Sequence, residues 1–155
     1  MQTAEDILQG KPNRRMVSID ADQSVAAAVQ KMIDANIGAI LIENKGDLIG
    51  IWTERDLLHL VGRSESDPRN SRIGDHMASP LHCAAHDTPV EQLEEMFLGL
   101  FIRHILIRKQ NSYIGLLSIG DALRASLLEK DRRIKKLNSI ASWQYYENWG
   151  WDRKK

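Results

Sequence analysis

The sequence predicts a mixed α/β (α+β) fold: two pseudo-symmetric β-α-β-β-α units packed through their sheets, followed by a long C-terminal helix. Three observations carry that expectation. Gly50-Ile51-Trp52-Thr53-Glu54-Arg55-Asp56 returns 65 positions later as Gly115-Leu116-Leu117-Ser118-Ile119-Gly120-Asp121. The same offset of 65 superposes Asp22 on Asp87, Val25 on Val90, Ile37 on Ile102 and Ile49 on Ile114 without a gap, the mark of one structural unit written twice. In each copy the apolar spacing runs extended, helical, extended, extended, helical, and one copy alone is too small to bury its own sheet face.

The first copy opens with a short β-prone run at residues 16–19, after which the oxygens of Asp22, Gln23 and Ser24 can cap a helix. Val25, Ala28, Val29, Met32 and Ile33 then fall at i, i+3, i+4, i+7 and i+8, one apolar stripe directed at a core. Asn36 and Gly38 mark its end. Residues 39–42 and 48–52 are apolar runs rich in β-branched side chains, and Asn44-Lys45-Gly46-Asp47 between them supplies hairpin chemistry. A helix starting near Thr53 carries Leu57, Leu58 and Val61 to a stop at Gly62.

The second copy repeats the order. Residues 81–84 read as extended, Thr88-Pro89 as N-cap and first helical residue, and Val90, Leu93, Phe97 and Leu98 as the inward stripe. Strands at 104–108 and 113–117 follow, with a turn at 109–112, and then a helix from Ser118. That helix continues through Leu123, Leu127, Ile134, Leu137 and Ala141 at close to a 3.5-residue period, interrupted by Lys130. Before the repeats, Thr3-Ala4-Glu5-Asp6-Ile7-Leu8 reads as a capped short helix stopping at Gly10. The resulting division is an N-terminal helix at 1–14, units at 15–62 and 76–128, a polar linker with Pro68 and Gly74 at 63–75, and a helical extension with an aromatic tail at 129–155.

Composition narrows the function. With 43% hydrophobic and 27% charged residues the 155-residue chain reads as globular, and 21 basic residues balancing 21 acidic ones leave no overall positive field to collect nucleic acid or anionic membrane. No apolar run approaches the roughly 20 residues of a membrane span, and the N-terminus has no basic segment followed by an apolar stretch, so a cytoplasmic location is the expectation. The single cysteine, Cys83, excludes an internal disulfide and fits a reducing compartment.

Thr53-x-x-Asp56 and Ser118-x-x-Asp121 each stand where an apolar strand ends and a helix begins. One reading is a helix capping box. The other is a ligand site: free N–H groups and the helix dipole favour a phosphate, the hydroxyl can join them, and the carboxylate one turn along can accept both hydroxyls of a ribose. One residue pair can do both.

The pattern Gly-apolar-x-Thr/Ser-x-x-Asp after a hairpin, twice in tandem over roughly residues 15–128, resembles a pair of cystathionine-β-synthase (CBS) domains. The resemblance implies a Bateman module: a stand-alone regulatory signal-transduction protein whose clefts bind AMP, ADP, ATP, NAD or S-adenosylmethionine as a regulatory ligand, with no obligatory cofactor. It also implies that the Asp holds ribose, the Thr or Ser reaches phosphate, and adenine lies against the first strand and the start of the second. Carried over by residue, the first cleft would use Thr53 and Asp56 with Ser18, Ile19, Gly38 and Ala39. The second would use Ser118 and Asp121 with His82, Cys83, Arg103 and His104. Family members often have a proline in the second strand, where this chain has aliphatic residues such as Leu41 and Leu106.

Other constellations have two readings each. Arg55, opposite Gly120 in the second copy, either adds a charge-assisted bond to phosphate or is a solvated helix-surface arginine. Arg103-His104 either clamps a phosphate or forms a surface or interface pair. His82-Cys83-x-x-His86 has metal-type ligands, but only the distant His76 could extend it, so no metal is expected. Lys130, Arg132, Arg133, Lys135 and Lys136 alternate with Glu129 and Asp131 as a solvated helix face does, which argues against nucleic acid. Trp143, Tyr145, Tyr146, Trp149 and Trp151 are expected to cover an apolar patch or to pack on a partner. No Ser/His/Asp set in recognisable context, phosphate-loop motif or His-Glu-x-x-His is present, so the chain is not expected to be an enzyme. A regulatory homodimer is the expected form, and the alternative is a structural or protein-interaction module whose capping motifs are only caps.

Overall fold

A computed structural model describes the backbone of residues 1–151 and the side chains of residues 1–141, so the aromatic tail lies outside the described side chains. The elements in order are α1 (Ala4–Gly10), β1 (Ser18–Asp20), α2 (Val25–Ala35), β2 (Ala39–Asn44), β3 (Asp47–Thr53) and α3 (Glu54–Arg63). Two 3₁₀ turns (Pro68–Asn70 and Ile73–Asp75) lead to β4 (Cys83–Ala85), α4 (Val90–Leu100), β5 (His104–Lys109), β6 (Ser112–Ser118) and α5 (Ile119–Trp151). Among the described residues no helix is long and apolar enough to cross a membrane.

The chain forms two compact units, of which one is continuous in sequence and the other is not. One is Asn13–Cys83; the other joins Met1–Pro12 to the chain from Ala84 onward.

The Asn13–Cys83 unit has a three-stranded sheet in the order β1-β2-β3. β1 runs parallel to β2 with Ile19 opposite Ile42, and β2 runs antiparallel to β3 with Ala39 opposite Thr53. The strand expected at 16–19 thus begins at Ser18, because pairing with β2 starts there. The hairpin turns on Lys45 and Gly46, both at positive φ (51° and 87°), the geometry that matches the twist of the flanking strands. Ile19, Ile40, Ile42 and Trp52 project from the sheet against Val25, Ala28 and Met32 of α2 and against Ile73. Ser24 caps α2 by accepting from Ala27 N–H at 3.1 Å, and Asn36 ends it in the left-handed conformation that asparagine tolerates.

The other unit repeats this plan, with the sheet order β4-β5-β6 and a core of Leu8, Val90, Leu93, Phe97, Ile105, Ile107, Leu117 and Ala122. Even the irregularities coincide: the ladder slips between Ile42 and Glu43 in one copy and between Ile107 and Arg108 in the other. α4 starts at Val90, one residue later than the sequence suggests. The Thr88 carbonyl accepts from Ala4 N–H (2.8 Å) and the Val90 N–H donates to the Gln2 carbonyl (3.0 Å), so the N-terminal segment takes over the capping.

That segment closes its own unit, and residues 73–77 close the other in the same way. Ala4 and Glu5 donate to the carbonyls of Thr88 and His86, and Ile73 and Gly74 donate to those of Gln23 and Ala21. Leu8 then lies over Gly115 as Met77 lies over Gly50: a Cβ at Gly115 would stand 2.5 Å from Leu8 Cδ2, and one at Gly50 would stand 2.4 Å from Met77 Sδ and 3.0 Å from the Ala78 carbonyl. Residues 4–8 and 73–77 therefore form a second repeat, at an offset of 69, that the gapless comparison misses.

The expected inward stripes are narrower than their spacing suggests. Ile33 is 65% exposed, Leu98 69%, Leu58 72% and Val61 57%: in α2 only Val25, Ala28 and Met32, at i, i+3 and i+7, are buried, and α3 has no buried residue. Ile33 and Leu98, like Leu58 and Leu123, are equivalent positions of the two copies, and Leu123 is also exposed.

α1 is pinned by charge as well as by packing. Lys109 Nζ lies 2.6 and 3.0 Å from the two Glu5 carboxylate oxygens, and His86 Nδ1 lies 3.0 Å from one of them. The Lys109 hydrogen bond holds the Glu5 carboxyl below its ordinary value of 4.5. A depressed carboxyl stabilises the fold above its ordinary value, and the contribution is lost as pH falls through the lowered one. Thermal melts between about pH 7 and about pH 3 should show wild type more stable than Glu5→Gln at the upper end, with the gap narrowing below pH 4.5. Gly115→Ala should cost about 1–3 kcal/mol in urea unfolding, because Leu8 must leave its place. Combined with Leu8→Ala it should cost less than the two single changes added together.

Candidate functional site

Each copy builds its candidate site at the C-terminal end of the last strand of its hairpin. Thr53 is the last residue of β3 and the N-cap of α3, and its hydroxyl accepts from Asp56 N–H at 3.3 Å. Asp56 answers with Oδ2, which accepts from the Thr53 N–H (2.9 Å) and hydroxyl (3.0 Å). Ser118 and Asp121 repeat this at 3.2, 2.8 and 2.9 Å. The capping reading is therefore satisfied in both copies. Thr3 and Asp6 form the same box at 3.3, 2.9 and 2.9 Å, so the cap geometry by itself is not diagnostic of a ligand.

The surroundings of the two duplicated boxes set them apart. Strand register places Ala39 opposite Thr53 and His104 opposite Ser118. The first N–H of each helix reaches across as well: Glu54 donates to the Gly38 carbonyl (3.0 Å) and Ile119 to the Arg103 carbonyl (2.9 Å). Gly38 and Ala39 thus join Thr53 and Asp56, and Arg103 and His104 join Ser118 and Asp121. A side chain at Gly38 would collide with the Glu54 carboxylate, whose Oε1 would be 2.7 Å from the added Cβ.

The remaining expected residues are placed as follows. Ser18 opens β1 and its hydroxyl donates to Glu43 Oε2 at 2.9 Å, while the Ile19 side chain is committed to the core. Arg55 and Arg103 are exposed. His82 and Cys83 are also exposed, and the boundary between the units falls just after Cys83. His86 is engaged by Glu5 and His76 Nε2 by the Ser71 hydroxyl at 2.9 Å. Among the described residues no group of three His, Cys, Asp or Glu side chains could hold a metal ion. A groove of about 350 Å³ between the end of α2 and the start of α3, lined by Ile33, Asn36, Gly38, Glu54 and Leu57, meets the expected set at Gly38.

The electrostatics separate the copies. Lys11 Nζ stands 2.8 Å from Asp121 Oδ2 and 3.0 Å from the Leu116 carbonyl, with both charged side chains about one quarter exposed. Burial pushes the Asp121 carboxyl up, but the Lys11 ammonium and the Ser118 donors outweigh it and hold the group below its ordinary range. Among the described residues Asp56 has no ion pair. Lys11 was not legible as a site residue, because it stands 110 positions before its partner.

The CBS domain family profile matches residues 4–63 and 73–128. A mitochondrial CBS domain-containing protein of Arabidopsis thaliana is 31% identical over 129 residues, 80% of this chain and 63% of that protein. The chain thus spans less than two thirds of the length of the first curated relatives it matches. The crystal structure of a CBS-domain containing protein from Agrobacterium tumefaciens superposes with a TM-score of 0.74 at 27% identity, covering 80% of this chain and 92% of that one. The gamma-3 subunit of the 5′-AMP-activated protein kinase of Sus scrofa is more distant, 20% identical over 112 residues, 67% of this chain and 22% of the subunit. With both repeats matched, including the segments that close them, the chain belongs to the CBS domain family as a tandem pair.

Proposed function

We propose that the chain is a regulatory sensor, not an enzyme, that binds an adenosine-containing nucleotide through the carboxylates of Asp56 and Asp121. CBS domain pairs are regulatory modules that often bind adenosine ligands. One observation carries the reading to these residues. In each copy the cap uses only Oδ2 of the aspartate, and Oδ1 is left with no hydrogen bond among the described residues. A fixed carboxylate with an unused oxygen is an acceptor for a ribose hydroxyl. Thr53 or Ser118 would contact phosphate, with Arg55 available to assist at the first site. Gly38 and Ala39, or Arg103 and His104, would flank the nucleoside, with Ser18 and Ile19 supplying the first-strand wall of the first site. AMP, ADP, ATP, NAD and S-adenosylmethionine share the adenosine group that this arrangement would recognise.

The Thr3/Asp6 box favours a second reading, since the same geometry there serves only a short helix. On that reading the chain is a protein-interaction module. Thermal melts with each nucleotide separate the two: ligand at 100 times its dissociation constant should add about 2.7 kcal/mol, and a flat response to all of them favours the interaction module. Asp56→Ala and Asp121→Ala should each remove one binding event in calorimetry, at about 1 kcal/mol of fold stability for the lost cap.

A ligand can act only by favouring one of two states of the protein, and a homodimer provides such states. Ile33 and Leu58 in one copy, and Leu98 and Leu123 in the other, are the equivalent uncovered apolar positions that a second chain would cover. Leu127, Ile134 and Leu137 extend an exposed apolar row along α5. Leu58→Glu with Leu123→Glu should halve the particle mass in light scattering, and an unchanged mass would place the dimer contact elsewhere.

A further inference from the structure

The two candidate sites have the same cap but differ in charge. Among the described residues Asp121 Oδ2 receives three donors, the Ser118 N–H, the Ser118 hydroxyl and the Lys11 ammonium, and Asp56 Oδ2 the two equivalent donors from Thr53. The difference does not come from the repeated motif. It comes from the closing segment, in which Leu8 on Gly115 corresponds to Met77 on Gly50. At that offset of 69 the counterpart of Lys11 is Pro80, which has no charge to offer. Lys11 is also anchored by the Leu116 carbonyl, the residue next to Gly115, so its ammonium is held at the carboxylate.

We infer that Lys11 is a specificity-determining residue that makes the Asp121 site select phosphorylated nucleotides over nucleosides, while the Asp56 site does not discriminate in this way. The inference rests on the nucleotide reading above. Oδ1 is free to accept one ribose hydroxyl, but the second reaches this carboxylate only at Oδ2, where it must displace the ammonium, which then loses a charge-assisted hydrogen bond in a half-buried place. A neutral nucleoside offers the displaced ammonium nothing in return. A ligand with phosphate beside its ribose supplies a new anion for it, so the ion pair is exchanged instead of broken. Among the described residues no cation pairs with Asp56, so none has to move there, and phosphate gains only what Thr53 and Arg55 offer it directly.

Calorimetry with adenosine and AMP on single-site chains tests this. In the Asp56→Ala chain, where only the Asp121 site remains, AMP should bind more tightly than adenosine by on the order of tenfold or more, the equivalent of one charge-assisted hydrogen bond. Adding Lys11→Met should tighten adenosine and bring the ratio toward that of the Asp121→Ala chain, whereas Lys11→Arg should preserve it. If the Asp56→Ala chain binds neither ligand, gain of adenosine binding on adding Lys11→Met supports the inference, and no gain overturns it. A preference for AMP that survives Lys11→Met overturns the inference while leaving the nucleotide reading in place. An equal change in the ratio when Lys11→Met is made in the Asp121→Ala chain also overturns it, since that chain retains only the Asp56 site. Absence of binding by wild type and every variant overturns the nucleotide reading and the inference with it.

Discussion

The close approach of a chain segment to a bare glycine backbone is the constraint on which the structure depends. A three-stranded sheet with two helices is too small to enclose its own core, so each unit takes in a further piece of chain. Leu8 fills one gap and Met77 the other, and both lie against a strand at a position with no room for a Cβ. This explains why Gly50 and Gly115 stand inside strands, where glycine ordinarily weakens the ladder. The same requirement makes one unit discontinuous, because its closing piece, residues 4–8, is separated in sequence from the strands and helices it covers, whereas residues 73–77 lie within the continuous unit they close.

The motif that follows those glycines caps a helix with some of its atoms and leaves another available. One carboxylate oxygen and one hydroxyl complete the first turn of the helix, which fixes the side chains without any ligand. The other oxygen is left over. A cap and an acceptor site are thus compatible in the same aspartate, and the rigidity supplied by the cap would favour recognition by limiting the side-chain entropy lost on binding. The short α1 helix shows what the motif is without its setting: the Thr3/Asp6 box has the same hydrogen bonds but closes a helix of seven residues.

The copies diverge where the repeat constrains them least. Trp52 and Leu117 are equivalent, fully buried core residues of different volume, and each core is packed around the one it has. Arg55 faces solvent where the second copy has Gly120. The largest difference in charge between the two candidate sites comes from outside the 65-residue repeat, through Lys11, which reaches Asp121 by way of the same segment that closes the core. Packing and site chemistry are therefore coupled in one copy and separate in the other.

Much of this was legible in the residues. The offset of 65 is carried by strand-turn-strand-helix patterns whose signals are local: alternation, Asn-Lys-Gly-Asp at the hairpin, and a hydroxyl and a carboxylate three residues apart at a helix start. Such features are determined by neighbours in sequence, so the sequence alone specifies the repeat, the order of elements and the pairing of Thr53 with Asp56 and Ser118 with Asp121. What only the tertiary structure decided depends on contacts between distant segments. Ile33 and Leu98 have helical spacing suited to a core yet are exposed, because which part of an apolar stripe is covered depends on how the helix lies on its sheet, which periodicity does not encode. Thr88 does not cap α4 because residues 2–4 take up the backbone groups there. The ammonium that distinguishes Asp121 from Asp56 reaches it across 110 positions, through a packing contact that no local pattern records.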